Sequence, residues 1–395
     1  MTVQQPRVYL DHAATTPLDP RVLEAMRPVL ESVWGNPSSI YFEGREARKT
    51  LDAARRDVAA VLNARANDVV FTSGGSESDN LAVRGAAFGS LRRGRHLITS
   101  AIEHHAVLHT VEQLEREGFS ATYLPVDSEG FVRLEDLRDA LRPDTTVVSI
   151  MYANNEVGTV EPIADLVRAV KEHDHHIVFH TDAVQAAGAL SLDVEALGVD
   201  LLSLASHKFY GPKGVGALYV RPRTPFIGQI VGGSQERNRR AGTEDVAGAV
   251  GFAKALQLID AERAANVEHL RGLRDHLWAE LPRRLPGVRV TGASDPARRL
   301  PNSFSCCLEG VEGEAVLIQL DLNGISASSG SACTTGSLEP SHVLTAMGIP
   351  ADIARASLRI TLGHENTLAD INRLLEVLPP AVQKLRALAP QIATG

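Results

Sequence analysis

Between about residues 69 and 220 the chain repeats one unit: a short apolar run, a polar or glycine-rich turn, then a stretch whose apolar residues recur at helical spacing. Short buried runs alternating with amphipathic helices are the pattern of βαβ units, which build a mostly parallel sheet covered on both faces. Candidate strands are VVFTS (69–73), HLITS (96–100), ATYLPV (121–126), TVVSIMY (146–152), IVFHTDA (177–183), LLSLAS (201–206) and GALYV (216–220). Between them, Val107, Val111 and Leu114 recur at i, i+4, i+7 and run out at Gly118, and Ile163, Leu166, Val167 and Val170 recur at i, i+3, i+4, i+7. Both read as helices that cover the sheet. The last strand follows GPKG after a turn too short for a crossover helix, so it is expected antiparallel. A helical stretch from about Val246 to Leu281 then leads to a second block with VRVTG, NSFSCCLEG and helices after Pro340. The expected fold class is α/β: a large domain over residues 17–260 with a seven-stranded mostly parallel sheet, and a smaller α+β domain made of residues 1–16 and 261–395. The first 16 or so residues have no partner strand in their own neighbourhood and are free to pack on either block.

Charge and composition narrow the function. With 40 basic against 48 acidic residues the net charge is −8, the wrong sign for a protein that neutralises phosphate backbones. No nucleic-acid partner is expected. No stretch of 18 apolar residues appears and the N-terminus lacks a basic segment followed by an apolar run, so no membrane span is expected and a cytoplasmic setting is. Cys306, Cys307 and Cys333 form no zinc-type spacing, and no metal site is expected. Only six of the 40 basic residues are lysine: Lys49, Lys171, Lys208, Lys213, Lys254 and Lys384.

In open parallel sheets ligands bind beyond the carboxyl ends of the strands. The first candidate strand runs into Gly74, Gly75, Ser76, Glu77, Ser78 and Asp79 before a helix, a turn suited to an anion such as phosphate at a helix N-terminus. Equally, Ser76 and Asp79 there read as a simple capping turn. The next strand end carries Glu103, His104 and His105, where His104 is a ring to stack on a ligand or move a proton, or else a structural cap. Asn154 and Asn155 follow the fourth strand, as polar donors or ordinary turn residues, and Asp182 and Gln185 follow the fifth. A carboxylate on so apolar a strand needs a cationic or N–H partner. Lys208 alone among the lysines directly ends an apolar strand, after Ser206 and His207. A lysine in such surroundings favours its neutral amine and suits a Schiff base with an aldehyde. Together the five strand ends describe a pocket for pyridoxal 5′-phosphate.

At this point the sequence resembles a known family. VDLLSLASHKFYGPKGVGAL is similar to the lysine signature of the class V aminotransferase group of fold-type I pyridoxal phosphate enzymes, and the resemblance extends to the NifS/IscS-type cysteine desulfurases. YLDHAATTPLDPRV, GNPSS, FTSGGSESDNLA, TSAIEHHAV, NNEVGTVEPI, HTDAVQ, RRAGTEDV, SSGSACTTGSLEPSHVL and SLRITLG look like that family's blocks in its usual order, from Tyr9 to about Gly363. The resemblance implies a sulfurtransferase that converts L-cysteine to alanine, leaving a persulfide on Cys333 for sulfur-acceptor or iron-sulfur scaffold proteins. It implies Lys208 as the Schiff-base residue and His104 as the stacking and proton-transfer residue. Gly75 and Ser76 match the phosphate turn, Asp182 the pyridinium partner, and Asn155 and Gln185 positions on the cofactor's oxygen side. His207 and Ser206 stand beside the lysine. Desulfurases often have a phosphate-binding serine where this chain has Ala205, and Ser206 carries the nearest hydroxyl. Thr243 matches a threonine that reaches the neighbouring subunit's phosphate, which implies a homodimer. Arg359 matches the residue that grips the substrate carboxylate; without the resemblance it reads as a routine surface arginine.

Read from its neighbours, Cys333 lies in a small, polar, glycine-flanked loop, which favours a reactive thiol, whereas Cys306 and Cys307 lie in an apolar run and are expected to be inert. The rival readings are a selenocysteine lyase or another class V activity on the same pocket, and a catalytically inactive platform for iron-sulfur assembly. The first separates by product formation from cysteine against selenocysteine. The second is disfavoured by the intact set Lys208, Asp182, His104, Cys333 and Arg359.

Overall fold

A computed structural model describes residues 7–330 and 339–388. Within them the strands are β1 (Val8–Tyr9), β2 (Val69–Thr72), β3 (His96–Ser100), β4 (Ser120–Leu124), β5 (Thr145–Ser149), β6 (Val178–Asp182), β7 (Leu201–Ala205), β8 (Gly216–Val220), β9 (Val288–Val290), β10 (Ser303–Leu308), β11 (Ile325–Ser326) and β12 (Ser357–Thr361). Seven form one sheet in the order β2-β8-β7-β6-β5-β3-β4. All its pairings are parallel except those of β8, antiparallel to both β2 and β7, as the short GPKG connection requires.

The central strands are apolar on both faces because helices cover both. Consecutive residues of a strand point to opposite sides, and Val147, Val178 and Leu201 pack with Leu81, Val107 and Leu114 on one face. Their successors Val148, Phe179 and Leu202 pack with Leu51, Val58 and Phe252 on the other. The helix His105–Arg116 stops where Gly118 takes φ 91°, and Val107, Val111 and Leu114 are its buried apolar residues. The expected long helical stretch divides at Glu262 into Val246–Ala261 and Arg263–Arg284. Residues of the first help to build the large-sheet core, while Leu270, Leu273, Leu277 and Leu281 of the second join a separate core with Phe304, Leu358, Ile360 and Leu374. That core packs around the antiparallel sheet β12-β10-β9.

β2 lies at the sheet edge, and its outer backbone groups need partners. Arg55 donates to Val69 O at 2.8 Å, Glu236 accepts from Phe71 N at 3.3 Å, and the two side chains form a bidentate pair at 2.6 and 2.8 Å, both almost fully buried. The pair holds a backbone run in which Glu236, Arg237 and Asn238 all have positive φ (45°, 57° and 62°). Three successive non-glycine residues in that region are costly and need such tertiary support.

The first residues contribute to both halves. Val8 and Tyr9 pair in parallel with Ile325 and Ser326, and Asp11 bridges to Thr361. The chain then crosses to the large sheet, where Thr16 N donates to His207 O at 2.9 Å.

Candidate active site

The strand ends β2, β3, β5, β6 and β7 open towards one place, between the large sheet and the segment Ala13–Thr16. After β2, Gly74 takes φ 150° and the helix Gly75–Gly89 begins. Close approach is needed here: a Cβ at Gly216 of β8 would come within 2.6 Å of Gly74 C, and one at Gly75 would meet Val184 Cγ2 at 3.0 Å, whereas the space beside Gly74 is open to 4 Å. Ser78 N, donating to Gly74 O at 3.0 Å, opens the helical ladder, so the N–H groups of the preceding turn are the unladdered ones of a helix start. Glu77 accepts from Ser73 N at 2.8 Å and pairs with Arg240 at 2.8 Å, which offsets its charge beside an anion site. A glycine cradle at a helix start fits a phosphate group. Asp79 does not close the helix end, as the capping reading of this turn has it; it is buried against the sheet with Oδ1 3.7 Å from His180 Nε2.

Asp182 ends β6 with Oδ1 accepting from Val184 N at 2.9 Å. Burial pushes its carboxyl up to about 6, against the opposing influence of that N–H and of the Lys208 charge. Asp79, under burial and then the charge of Asp182, is raised well above the carboxylate range. His180 beneath them holds Ser149 Oγ at 2.8 Å and Ser203 Oγ at 2.9 Å, and burial lowers it to about 3, so it stays neutral. The Lys208 charge offsets the burial of the Asp182 carboxylate only in part. A protonated ring nitrogen fits that need.

His104 both caps and faces the site. It is the N-cap of the helix His105–Arg116, and its Nδ1 accepts from Ala106 N at 3.1 Å. With Nδ1 occupied as an acceptor, the neutral ring carries its proton on Nε2. Burial, then Lys208 and the neighbouring histidines, lower it to about 4. Lys208 ends the turn after β7; its Nζ donates to Ala13 O at 2.6 Å and Ala14 O at 2.8 Å. Gln185 Nε2 donates to the same Ala13 O at 3.0 Å, and His207 Nδ1 lies 3.1 Å from Thr15 Oγ1.

The two adjacent asparagines divide the work. Asn154 is a buried turn residue whose Oδ1 accepts from Glu156 N and Val157 N at 2.8 and 3.0 Å. Asn155 offers its carbonyl to Arg359 Nη1 at 3.0 Å. Arg359 is only 3% exposed, which corrects its reading as a surface arginine. Its Nη2 donates to Asp11 at 2.8 Å, and its buried Nε has no hydrogen-bond partner among the described residues. A carboxylate would satisfy that edge.

Ser206 is a second correction. Its Oγ is buried without a partner among the described residues and faces Gly211, where a Cβ would overlap it, while Ala205 is the residue whose Cβ approaches Gly75. Strand alternation turns the hydroxyl away from the turn. Thr243 is exposed and lines a groove with Thr72, Ser73 and Arg240, beside the same turn. Cys333 lies outside the described residues. Cys306 and Cys307 are buried in β10, and burial pushes the first thiol far up and the second up to about 11.

Three residues without an assigned role belong to the site's frame. Asp11 orients Arg359. Glu103, fully buried, accepts from Ser100 Oγ at 2.6 Å and Met151 N at 2.9 Å, tying together the ends of β3 and β5, and burial raises it to about 8. Glu156 accepts from Ser341 Oγ and is raised to about 7 by burial. The sequence signal for Asp11 and Glu103 is an acidic residue beside an apolar run; Glu156, in NNEVG, carries none.

The chain matches the Aminotransferase class-V family model over residues 8–374. It is 51% identical over 383 residues to a cysteine desulfurase IscS of Dictyoglomus turgidum, covering 97% of this chain and 96% of that protein. It is 49% identical over 390 residues to one of Methanosarcina thermophila, covering 99% and 95%. Among solved structures, a NifS-like protein superposes with a TM-score of 0.90 at 38% identity, covering 96% of this chain and all of that one. A structure described as SspA in complex with cysteine gives 0.78 at 36% identity, covering 91% and 100%.

Proposed function

The chain belongs to the aminotransferase class-V family, among its pyridoxal phosphate-dependent cysteine desulfurases, and on that premise we propose the following division of labour for L-cysteine as substrate. The single observation that carries it is that the Lys208 charge acts on both Asp182 and His104, while the glycine turn lies against Val184 and Ala205, beside the ends of the same two strands.

The first turn of the helix Gly75–Gly89, with Gly75 and Ser76, binds the phosphate, and the Asp182 carboxylate holds the ring nitrogen. When bound, the cofactor supplies an electron sink for negative charge at the substrate's Cα. Arg359 binds the substrate carboxylate through its unpaired edge, fixed in orientation by Asp11 and the Asn155 carbonyl. The Lys208 amine takes the Cα proton, and His104 presents Nε2–H as the nearby proton donor. The Cys333 thiolate attacks the substrate sulfur: an S–S bond forms, the C–S bond breaks, and its electron pair stays with the substrate carbon, which takes up a proton. Alanine leaves and the persulfide on Cys333 passes to an acceptor thiol.

Residues 17–260 then act as the cofactor-binding domain, and residues 1–16 with 261–395 as the domain that carries Cys333. The destination is a sulfur-acceptor or iron-sulfur scaffold protein in the cytoplasm. A homodimer is supported by large apolar side chains exposed on two segments, among them Trp34 (76%), Ile40 (89%) and Val231 (87%), and by Thr243 beside the phosphate turn. No helix among the described residues is long and apolar enough to cross a membrane.

The test is equimolar alanine and sulfide from L-cysteine in the presence of a thiol reductant. Cys333→Ser should keep the visible absorbance of bound cofactor and lose persulfide formation; undiminished sulfide release by that variant would refute the covalent step. Alanine formed much faster from selenocysteine than from cysteine would make the protein a selenocysteine lyase, and no product from either would make it an inactive platform.

A further inference from the structure

Glu156 follows Asn155 in the turn beyond β5 and is 5% exposed. Its N–H is held by Asn154 Oδ1 at 2.8 Å, which aims the side chain towards the smaller sheet. There its carboxylate accepts a hydrogen bond from Ser341 Oγ. The same carboxylate presses on Gly330: a Cβ there would lie 2.6 Å from Glu156 Oε2 and 3.3 Å from Ser341 Cβ. Gly330 has no side chain because that corner is already filled.

Gly330 and Ser341 stand on either side of the stretch that contains Cys333. The approach to Gly330 is fixed by a two-way backbone bridge between Ser328 and Arg359 (2.7 and 3.2 Å) and by Gly330 N donating to Ser357 Oγ at 3.2 Å. Beyond it, Ser341 Oγ also caps the helix His342–Ala346 by accepting from Leu344 N at 3.2 Å. One carboxylate thus accepts from the serine beyond the cysteine-bearing stretch and fills the side-chain space of the glycine before it, while Asn155, which precedes Glu156, offers its carbonyl to the arginine assigned to the substrate carboxylate.

We propose that Glu156 is a positioning residue for sulfur transfer: it clamps Gly330 to Ser341 and so fixes where the Cys333 stretch starts and ends relative to a substrate held at Arg359. The proposal rests on the desulfurase reading above. Covalent steps are steep in geometry, and a misplacement of about 1 Å can cost roughly 100-fold in rate. Loosening the clamp therefore slows the step that needs Cys333 and spares those that do not.

The experiment compares holoenzyme with Glu156→Gln, Glu156→Ala and Gly330→Ala. Gln keeps an oxygen for Ser341 Oγ, whereas the Gly330 variant leaves the carboxylate intact and wedges a methyl against it. Two rates are read: exchange of the cysteine α-hydrogen with solvent deuterium, which needs Lys208 but not Cys333, and single-turnover persulfide formation on Cys333. Expected are exchange within about 3-fold of wild type in all variants, and persulfide formation roughly 10- to 100-fold slower in Glu156→Ala and Gly330→Ala, with partial rescue in Glu156→Gln. Both rates falling together, with a lowered melting temperature, would make Glu156 merely structural and overturn the proposal, as would persulfide formation unchanged in both severe variants. A wild-type protein that neither exchanges the α-hydrogen nor forms persulfide would instead refute the desulfurase reading.

Discussion

Replacing Asp182 by asparagine should stabilise the cofactor-free protein, although Asp182 is at the centre of the site. Asn keeps an oxygen for Val184 N and removes the charge that raises Asp79. Burial raises the Asp182 carboxyl from 3.8 to about 6 in the folded chain. The sign follows from proton binding: between those values the folded state holds a proton that the unfolded state has lost, so stability falls as pH rises through 3.8 and levels off above 6. At about 1.4 kcal/mol per pH unit, the penalty at pH 8 is about 3 kcal/mol, and at pH 5 roughly half of that. This exceeds the ~1 kcal/mol of an ordinary hydrogen bond, so it decides the sign. For 395 residues unfolding together, with an entropy of about 2.1 cal/mol/K per residue, ~3 kcal/mol corresponds to about 4 °C. Thermal melts of apo wild type and Asp182→Asn at pH 8 and pH 5 measure it. The variant should melt higher, with a gap that shrinks by about half at pH 5. With pyridoxal phosphate bound the order should reverse, because only the carboxylate offsets a protonated ring nitrogen. An apo variant that melts at or below wild type at pH 8, or a gap independent of pH, would refute the claim that this charge is held in readiness at a cost.

Other outcomes follow from the same structure. Glu236→Ala leaves the Arg55 guanidinium buried beside the β2 edge and should cost about 3–5 kcal/mol in urea unfolding, whereas Arg55→Met combined with Glu236→Leu should cost less than the sum of the two single changes. Arg359→Lys cannot keep Asp11, the Asn155 carbonyl and a carboxylate together, so KM for cysteine should rise about 10- to 100-fold with cofactor absorbance unchanged. Iodoacetamide at pH 8 should leave Cys306 and Cys307 of the native protein unmodified and label them only after denaturation, since burial keeps both as thiols.

The large sheet was legible in the sequence because each strand is a compact apolar run and each crossover keeps a helical period; β3 and β8 fall on the expected residues. The strand-end placement of Lys208 and Asp182 was legible for the same reason, since both are polar residues that close such runs. What the sequence hid depends on contacts between distant segments. Arg359 looks exposed until Asp11, some 350 residues earlier, is known to face it. Ser206 looks like a substitute for the hydroxyl missing at Ala205, and only the pleat of β7 shows that it points the other way. Glu103 and Glu156 gain no role from the sequence, since nothing local says that a neighbouring backbone or a serine far along the chain will close over them.

The segment from Val8 to Thr16 also sets a timetable. β1 is paired with β11, Leu10 O accepts from Thr361 N, and the carbonyls of Ala13 and Ala14 that hold Lys208 are carried on the same stretch. On the ribosome, Val8 emerges early and waits for Ile325, a delay of roughly 16 to 60 s at about 5–20 residues per second. The large sheet can pair in that interval, but the wall of the site opposite Lys208 stays unanchored until most of the chain has been made. Emergence of β11 and β12, rather than completion of the large sheet, is then the event that makes the site ready to be filled.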